Sequence, residues 1–264
     1  MPDQLPEKSP AGERGVVGQA WRRIVELVLR LTSFLGPYQV LALTIAVGAV
    51  IAAVMTALAA EVYEAVTQEN GVALLDRPIL DAMLQFRSPA ADSFITYFTN
   101  VGGVIGMPLL ALGIMVLLAV QRRSWTPVIL IAGAGVGSLL MTVAGKQLIG
   151  RTRPPELDAV APFETSPSFP SGHTLNATVV AGIVVYVILL EQQHRRLVQV
   201  LSITLAAVFA LTMGMSRVFL GHHWFTDVVA AWLLGLAWLA IVITAHRLLL
   251  NAHRKRESHP KLES

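Results

Sequence analysis

Residues 197–249 read LVQVLSITLAAVFALTMGMSRVFLGHHWFTDVVAAWLLGLAWLAIVITAHRLL, and this stretch decides the fold. Residues 197–215 and 225–249 are apolar runs, each long enough to cross a hydrocarbon core of ~30 Å, which takes about 20 helical residues. The short turn between them carries Ser216, Arg217, His222 and His223, and Asp227 lies just inside the second run. A carboxylate at that depth is expensive, so it is read first as a functional group. The stretch therefore predicts two membrane helices joined by a chemically dense turn.

Four more runs of similar character precede it, at 38–60, 103–121, 126–145 and 173–190. The expected fold is all-α: a polytopic membrane protein with a six-transmembrane-helix bundle and short amphipathic helices on its outer face. Composition agrees, with 54% hydrophobic residues, 14% charged residues and a mean hydropathy of +0.61, far from the balance of a soluble domain. The first run starts too far from Met1 and is too long for a cleaved signal peptide. With no cysteine in the chain, disulfides, thiolate zinc sites and cysteine nucleophiles are excluded. The net charge is +3 and the pI near 9.5, but the basic residues are dispersed around apolar segments, so nucleic acid is not an expected partner.

Their distribution sets an orientation instead. Lys8, Arg14, Arg22, Arg23, Arg30, Arg122, Arg123, Arg195, Arg196, Arg247, Arg254, Lys255, Arg256 and Lys261 fall on one side, and only Arg77, Arg87, Lys146, Arg151, Arg153 and Arg217 on the other. The expectation is a multi-pass protein of the cell membrane with both termini cytoplasmic and the second set outside. Residues 1–20 read as a disordered cytoplasmic tail and 250–264 as a basic one. Residues 21–37 read as an interfacial amphipathic helix, with Ile24, Val25, Leu27, Val28 and Leu31 among Arg22, Arg23 and Arg30, or equally as a lead-in to the first span. The 61–102 segment holds two short amphipathic stretches, one from Pro78 to Phe86 and one capped by Ser88-Pro89 in which Phe94, Tyr97 and Phe98 share a face. They either shape a substrate entrance or merely connect spans. Gly133 and Gly137 form a GxxxG spacing that suits packing within the bundle better than dimerisation.

Three polar clusters close the outer ends of the spans. The first runs from Lys146 to Pro154, with Arg151 and Arg153; alone it reads as a basic flank reaching the headgroups. The second is Ser168 to Thr174, where Ser171 is a plausible N-cap and the N–H groups of Gly172 and His173 would offer an anion site. The third is Ser216 to Asp227, in which His223 and Asp227 stand four apart and share a helix face, while His222 is out of that register. A carboxylate bonded to Nδ1–H would fix the tautomer and leave Nε2 of His223 free to attack phosphorus. Lys146, Arg153 and Arg217 supply positive charge for phosphoryl oxygens, and His173 suits a general acid.

In order, Lys-x6-Arg-Pro (146–154), Pro-Ser-Gly-His (170–173) and Ser-Arg-x5-His-x3-Asp (216–227) resemble the three-part signature of the type 2 phosphatidic acid phosphatase (PAP2) superfamily. The resemblance covers residues 38–249 and implies six transmembrane helices with metal-independent hydrolysis through a phosphohistidine. It makes His223 the nucleophile, Asp227 its partner and His173 the acid, with Lys146, Arg153, Ser171, Gly172 and Arg217 binding phosphate. Arg151 falls in the motif's variable stretch and is kept as a flanking charge. Neither metal nor cofactor is expected. The expected partners are the bilayer and a lipid phosphate or diphosphate, namely polyprenyl diphosphate, phosphatidylglycerophosphate or phosphatidic acid, with no obligatory protein partner. A phosphotransferase that passes the phosphoryl group to a lipid hydroxyl shares the first half-reaction and remains the alternative. A small transporter fits poorly, since the spans are polar mainly at their outer ends.

Overall fold

Long apolar segments leave the backbone no partner but itself, and the chain accordingly forms helices; no strand occurs among the described residues. The structure, a computed structural model, describes residues 37–192 and 195–258. The expected tail at 1–20 and nearly all of the expected interfacial helix at 21–37 lie outside them. The chain divides into two compact units, Met1–Thr44 and Ile45–Ser264. In the first unit the described residues open a helix, where Thr44 Oγ1 donates to the carbonyl of Val40 at 2.9 Å. Apart from that helix, everything that follows concerns the second.

The helices are α1 (Pro37–Gln68), α2 (Asp76–Leu84), α3 (Pro89–Asn100), α4 (Gly106–Arg122), α5 (Thr126–Ile149), α6 (Gly172–Leu189), α7 (Arg196–Phe219) and α8 (Phe225–Ser258), with 3-10 turns at Gly71–Leu75 and Glu156–Asp158. Five helices among the described residues are long and apolar enough to cross a membrane: Gln39–Gln68, Thr126–Ile149, Gly172–Leu189, Arg196–Phe219 and Phe225–Ala252. The sixth expected span, 103–121, coincides with α4, a shorter apolar helix of 17 residues. Large apolar side chains such as Val50, Leu109, Leu140 and Leu205 are exposed on these helices, a pattern suited to lipid and not to water. The last helix continues past residue 249 to Ser258, so the first part of the expected tail is helical.

The packing centres on α6, which touches α4, α5, α7 and α8. It is apolar all round and buries Leu175, Val179, Ile183 and Val187 completely, as expected of a helix enclosed by others. Between helices in lipid the hydrophobic effect supplies little, and close backbone approach through small residues does the work. A Cβ on Gly137 would fall 2.2 Å from Trp238, one on Gly182 2.3 Å from Leu239, and one on Gly214 2.6 Å from Val228. Gly137 therefore packs within this unit, as expected, whereas Gly133 meets open space.

The two short helices form where Pro78–Phe86 and Ser88-Pro89 suggested. Ser88 Oγ accepts the Ala91 N–H at 3.2 Å, and proline occupies the first turn of α3. The aromatic face divides, however: Phe94 and Tyr97 are exposed, while Phe98 turns inward to meet Phe209 edge-on at 6.3 Å.

Candidate active site

Three loop segments converge between the ends of α5, α6, α7 and α8. Helix α5 ends at Gly150, whose φ of +63° lets its N–H close on the carbonyl of Lys146 at 3.1 Å. The chain then turns outward through Pro154 and returns to α6. This returning loop is fastened to the α7–α8 turn: Val160 donates to the Leu220 carbonyl at 3.0 Å, and His222 Nε2 meets the Val160 carbonyl at 2.7 Å. Gly221 permits the approach, with φ of +69° and a site where a Cβ would lie 2.1 Å from the Asp158 carbonyl. Arg87 secures the end of α7 by donating from Nε and NH2 to the Phe219 carbonyl at 2.9 and 2.6 Å. Arg77 reaches Asp158 at 2.8 Å. The two outer-set cations far from the motifs thus brace the loops.

His223 and Asp227 meet, but not on one helix face as expected: His223 lies in the turn before α8, which begins at Phe225, and that turn folds onto Asp227 in the first helical turn. Nδ1 of His223 lies 3.3 Å from Asp227 Oδ2, and both side chains are buried. Ser168 Oγ donates to the same oxygen at 2.5 Å, and the Trp224 N–H donates to it at 2.9 Å. Nε2 points the other way, 3.3 Å from an Arg153 nitrogen. Burial, joined by the charges of Arg153 and Arg217, holds His223 well below the usual imidazole range, so it is neutral at pH 7. His222 is lowered to about 4, by burial first and then by Arg217. Its ring is engaged with the loop carbonyl, consistent with its being out of register with Asp227.

Of the expected phosphate ligands, Arg153 stands beside Nε2, and Lys146 and Gly172 share a cavity with His223. Arg217 is almost wholly buried, and Arg153 and Arg217 both grip the Glu164 carboxylate, Arg153 at 2.7 Å. Lys146 donates to Ser166 Oγ at 3.2 Å and to the Pro167 carbonyl. Burial pushes Glu164 upward, but the charges of Arg217 and Arg153 outweigh it and hold the carboxyl at about 2. A carboxylate thus stands between two guanidiniums beside a neutral imidazole, at a place of the right charge and geometry for phosphate.

Ser171 occupies the N-cap position of α6 but makes no side-chain cap; its Oγ accepts from Thr174 Oγ1 at 2.9 Å instead. The expected capping bond is absent; the hydroxyl is fully buried and engaged by Thr174 instead. Gly172 and His173 open the helix, where first-turn N–H groups have no intrahelical partner. Helix α5 comes close enough here that a Cβ on Gly145 would lie 2.6 Å from Pro170. His173 lines a cavity of about 830 Å³ together with His223, Lys146 and Glu164. The cavity continues between α4 and α5 along Met107, Ala111, Gly135 and Leu139, so one end is polar and the rest apolar.

Sequence reasoning missed two groups of residues. Arg151 is no flanking charge: it bridges Asp227 Oδ1 and Asp76 Oδ2, both at 2.6 Å. Its position inside the variable part of a motif concealed it, and only the count of outer cations pointed to it. Glu164 carried no signal, and Ser168 was noted only as the start of the second cluster, with no role, since neither belongs to a helical register with the other site residues.

The family model described as the PAP2 superfamily matches residues 126–250. Phosphatidylglycerophosphatase B of Bacillus subtilis (strain 168) is 30% identical over 185 residues, 69% of this chain and 88% of that protein. The crystal structure of a transmembrane PAP2-type phosphatidylglycerolphosphate phosphatase from Bacillus subtilis superposes with a TM-score of 0.69 at 26% identity, covering 75% of this chain and 96% of that one.

Proposed function

The chain belongs to the PAP2 superfamily, and from that premise we propose that it hydrolyses a phosphomonoester or diphosphate of a lipid through a phosphohistidine on His223. At the coarser level it is a membrane lipid phosphatase. The observation that carries the finer reading is the cavity, which joins an apolar trough between α4 and α5 to the imidazoles of His173 and His223. A lipid tail fits the trough, and its phosphate then lies at the polar end.

Asp227 holds Nδ1–H and leaves the Nε2 lone pair to attack phosphorus. Lys146, Arg153, Arg217 and the first-turn N–H groups at Gly172 and His173 neutralise the equatorial oxygens, with Ser171 shaping that turn. The phosphate displaces Glu164 from the two arginines. His173 protonates the leaving oxygen, then takes a proton from the water that attacks the phosphohistidine. No metal enters this scheme, as the family resemblance implies. We further read six spans, counting α4, with both termini cytoplasmic and the site on the outer face of the cell membrane, from the distribution of Lys and Arg. Among substrates, phosphatidylglycerophosphate ranks first because the relatives are named for it; polyprenyl diphosphate and phosphatidic acid follow.

Purified protein in detergent and EDTA should release phosphate from phosphatidylglycerophosphate and form an acid-labile phosphoenzyme. His223→Ala should lower turnover by about 10³-fold or more, as loss of a nucleophile does elsewhere, with an unchanged melting temperature. A strict magnesium requirement, or a folded H223A protein with full turnover, would sink the mechanism.

A further inference from the structure

Behind Asp227 lies a second tier of charge, Arg151 and Asp76, that the proposed chemistry does not use. Asp76 opens α2, Arg151 follows α5, and Asp227 lies in the first turn of α8, so three segments distant in sequence meet. Arg151 NH1 donates to Asp227 Oδ1 at 2.6 Å and to Thr226 Oγ1 at 2.8 Å, while NH2 donates to Asp76 Oδ2 at 2.6 Å. Asp76 also accepts the Thr226 N–H at 2.8 Å and its hydroxyl at 2.7 Å, placing a carboxylate at the N-terminus of α8, where the helix dipole favours it. The guanidinium lies 5.7 Å from the Trp224 ring centroid. These side chains are 15% exposed for Arg151, 8% for Asp76 and 0% for Asp227, so the ring of contacts is a buried one.

The two oxygens of Asp227 have separate duties. Oδ2 faces His223, Ser168 and the Trp224 N–H, and Oδ1 faces Arg151. The terminal torsion of an aspartate is soft, so a carboxylate bonded on one oxygen alone could rotate and carry the imidazole with it. A buried carboxylate without a cation would also be costly to keep ionised. Arg151 meets both needs, and Asp76 balances its charge so that the trio retains one net negative charge behind the imidazole.

We propose that Arg151, itself held by Asp76, is a positioning residue: it fixes Asp227 so that His223 presents Nε2 in line with phosphorus. This rests on His223 being the nucleophile. Arg151 differs in kind from Arg153 and Arg217, which reach into the phosphate position through Glu164. It acts from behind, and its hydrogen bonds run to Asp227, Thr226 and Asp76.

The test uses the full chain in detergent, with Arg151→Gln, Arg151→Lys, Asp76→Asn and the double variant D76N/R151Q. Two readouts separate positioning from binding: kcat with lipid phosphate, and the competitive inhibition constant of inorganic phosphate. R151Q should lower kcat by about 10–100-fold, the usual cost of losing an outer orienting partner, while the inhibition constant stays within about threefold. R151K should recover part of the loss. D76N should lower kcat less than R151Q, and the double variant should be no slower than R151Q within about threefold, because one ring is broken only once. R151Q with wild-type kcat overturns the proposal. So does a parallel loss of kcat and phosphate affinity in folded protein, which would make Arg151 a phosphate ligand. If R151Q does not fold, D76N and R151K carry the test, and wild-type kcat in both overturns it equally. Failure of the underlying reading looks different: the wild-type protein would form no phosphoenzyme, or H223A would remain active.

Discussion

Glu164 is the residue at which charge and proposed chemistry are most directly opposed. Its carboxylate pairs with Arg153 and Arg217, the two guanidiniums assigned to phosphate, and those charges hold it at about 2 despite its burial. It is therefore fully ionised at pH 7, and phosphate must compete with it for the same donors. A neutral amide of the same shape binds guanidinium more weakly, since charge-assisted bonds are roughly twice as strong as neutral ones. Glu164→Gln should consequently tighten inhibition by inorganic phosphate at pH 7, by about three- to tenfold. A phosphate titration of initial rates reads this directly. Weaker inhibition in E164Q would mean that Glu164 arranges the arginines instead of blocking them.

At the scale of elements, the site is a clamp of helix ends, and its legibility followed the geometry of each segment. His223 and Asp227 were singled out by their i,i+4 spacing, yet the pair forms for another reason: His223 sits in the turn before α8, and the turn, held by the Trp224 N–H on Asp227, brings its ring to the carboxylate. Lys146, Arg153, Ser171, Gly172, His173 and Arg217 were readable one cluster at a time from their chemistry, but their union in one site came from the family pattern, because loops link the clusters and loop paths have no sequence period. Arg151 shows the difference most sharply: two residues from Arg153, it points to Asp227 while Arg153 points to Glu164. The span count was readable to within one helix, α4 being the short one. The trough between α4 and α5 was not readable, since an apolar helix face looks the same whether it meets a helix, lipid or a cavity. Gly135 lines that trough, and a Cβ there would meet nothing within 4 Å. Gly135→Leu should be accommodated, and should gain helix propensity of about 1 kcal/mol relative to glycine. It should nevertheless raise KM for a long-chain lipid phosphate by about tenfold or more, on the scale of several lost methylene contacts, and leave a short water-soluble phosphate ester unaffected. Equal effects on both substrates would remove the trough from the substrate's path.

Across the whole molecule, the site's neutral histidines and its ionised glutamate make stability depend on pH in one direction. His222 has a folded value of about 4 against an ordinary value near 6.5, and His223 is also held well below that value. Between pH 6.5 and about 4 the opened site binds more protons than the closed one, so stability rises with pH through that window and is level above it. Glu164, at about 2 when folded, adds stability that is present above its ordinary range near 4.5 and lost as pH falls from there towards 2. The two contributions have the same sign and act in adjacent windows. The apparent melting temperature in detergent should be flat from pH 8 to 7 and fall by roughly 3–6 °C by pH 5, given about 2–4 °C per kcal/mol for a chain of this size. His222 lies outside the proposed phosphoryl chemistry, so His222→Gln separates its share: part of the decline between pH 6.5 and 5 should disappear while the fall below 4.5 remains. A melting temperature that rises on acidification from pH 7 to 5 would show that these imidazoles are charged in the folded protein, and with that a neutral His223 nucleophile would be lost as well.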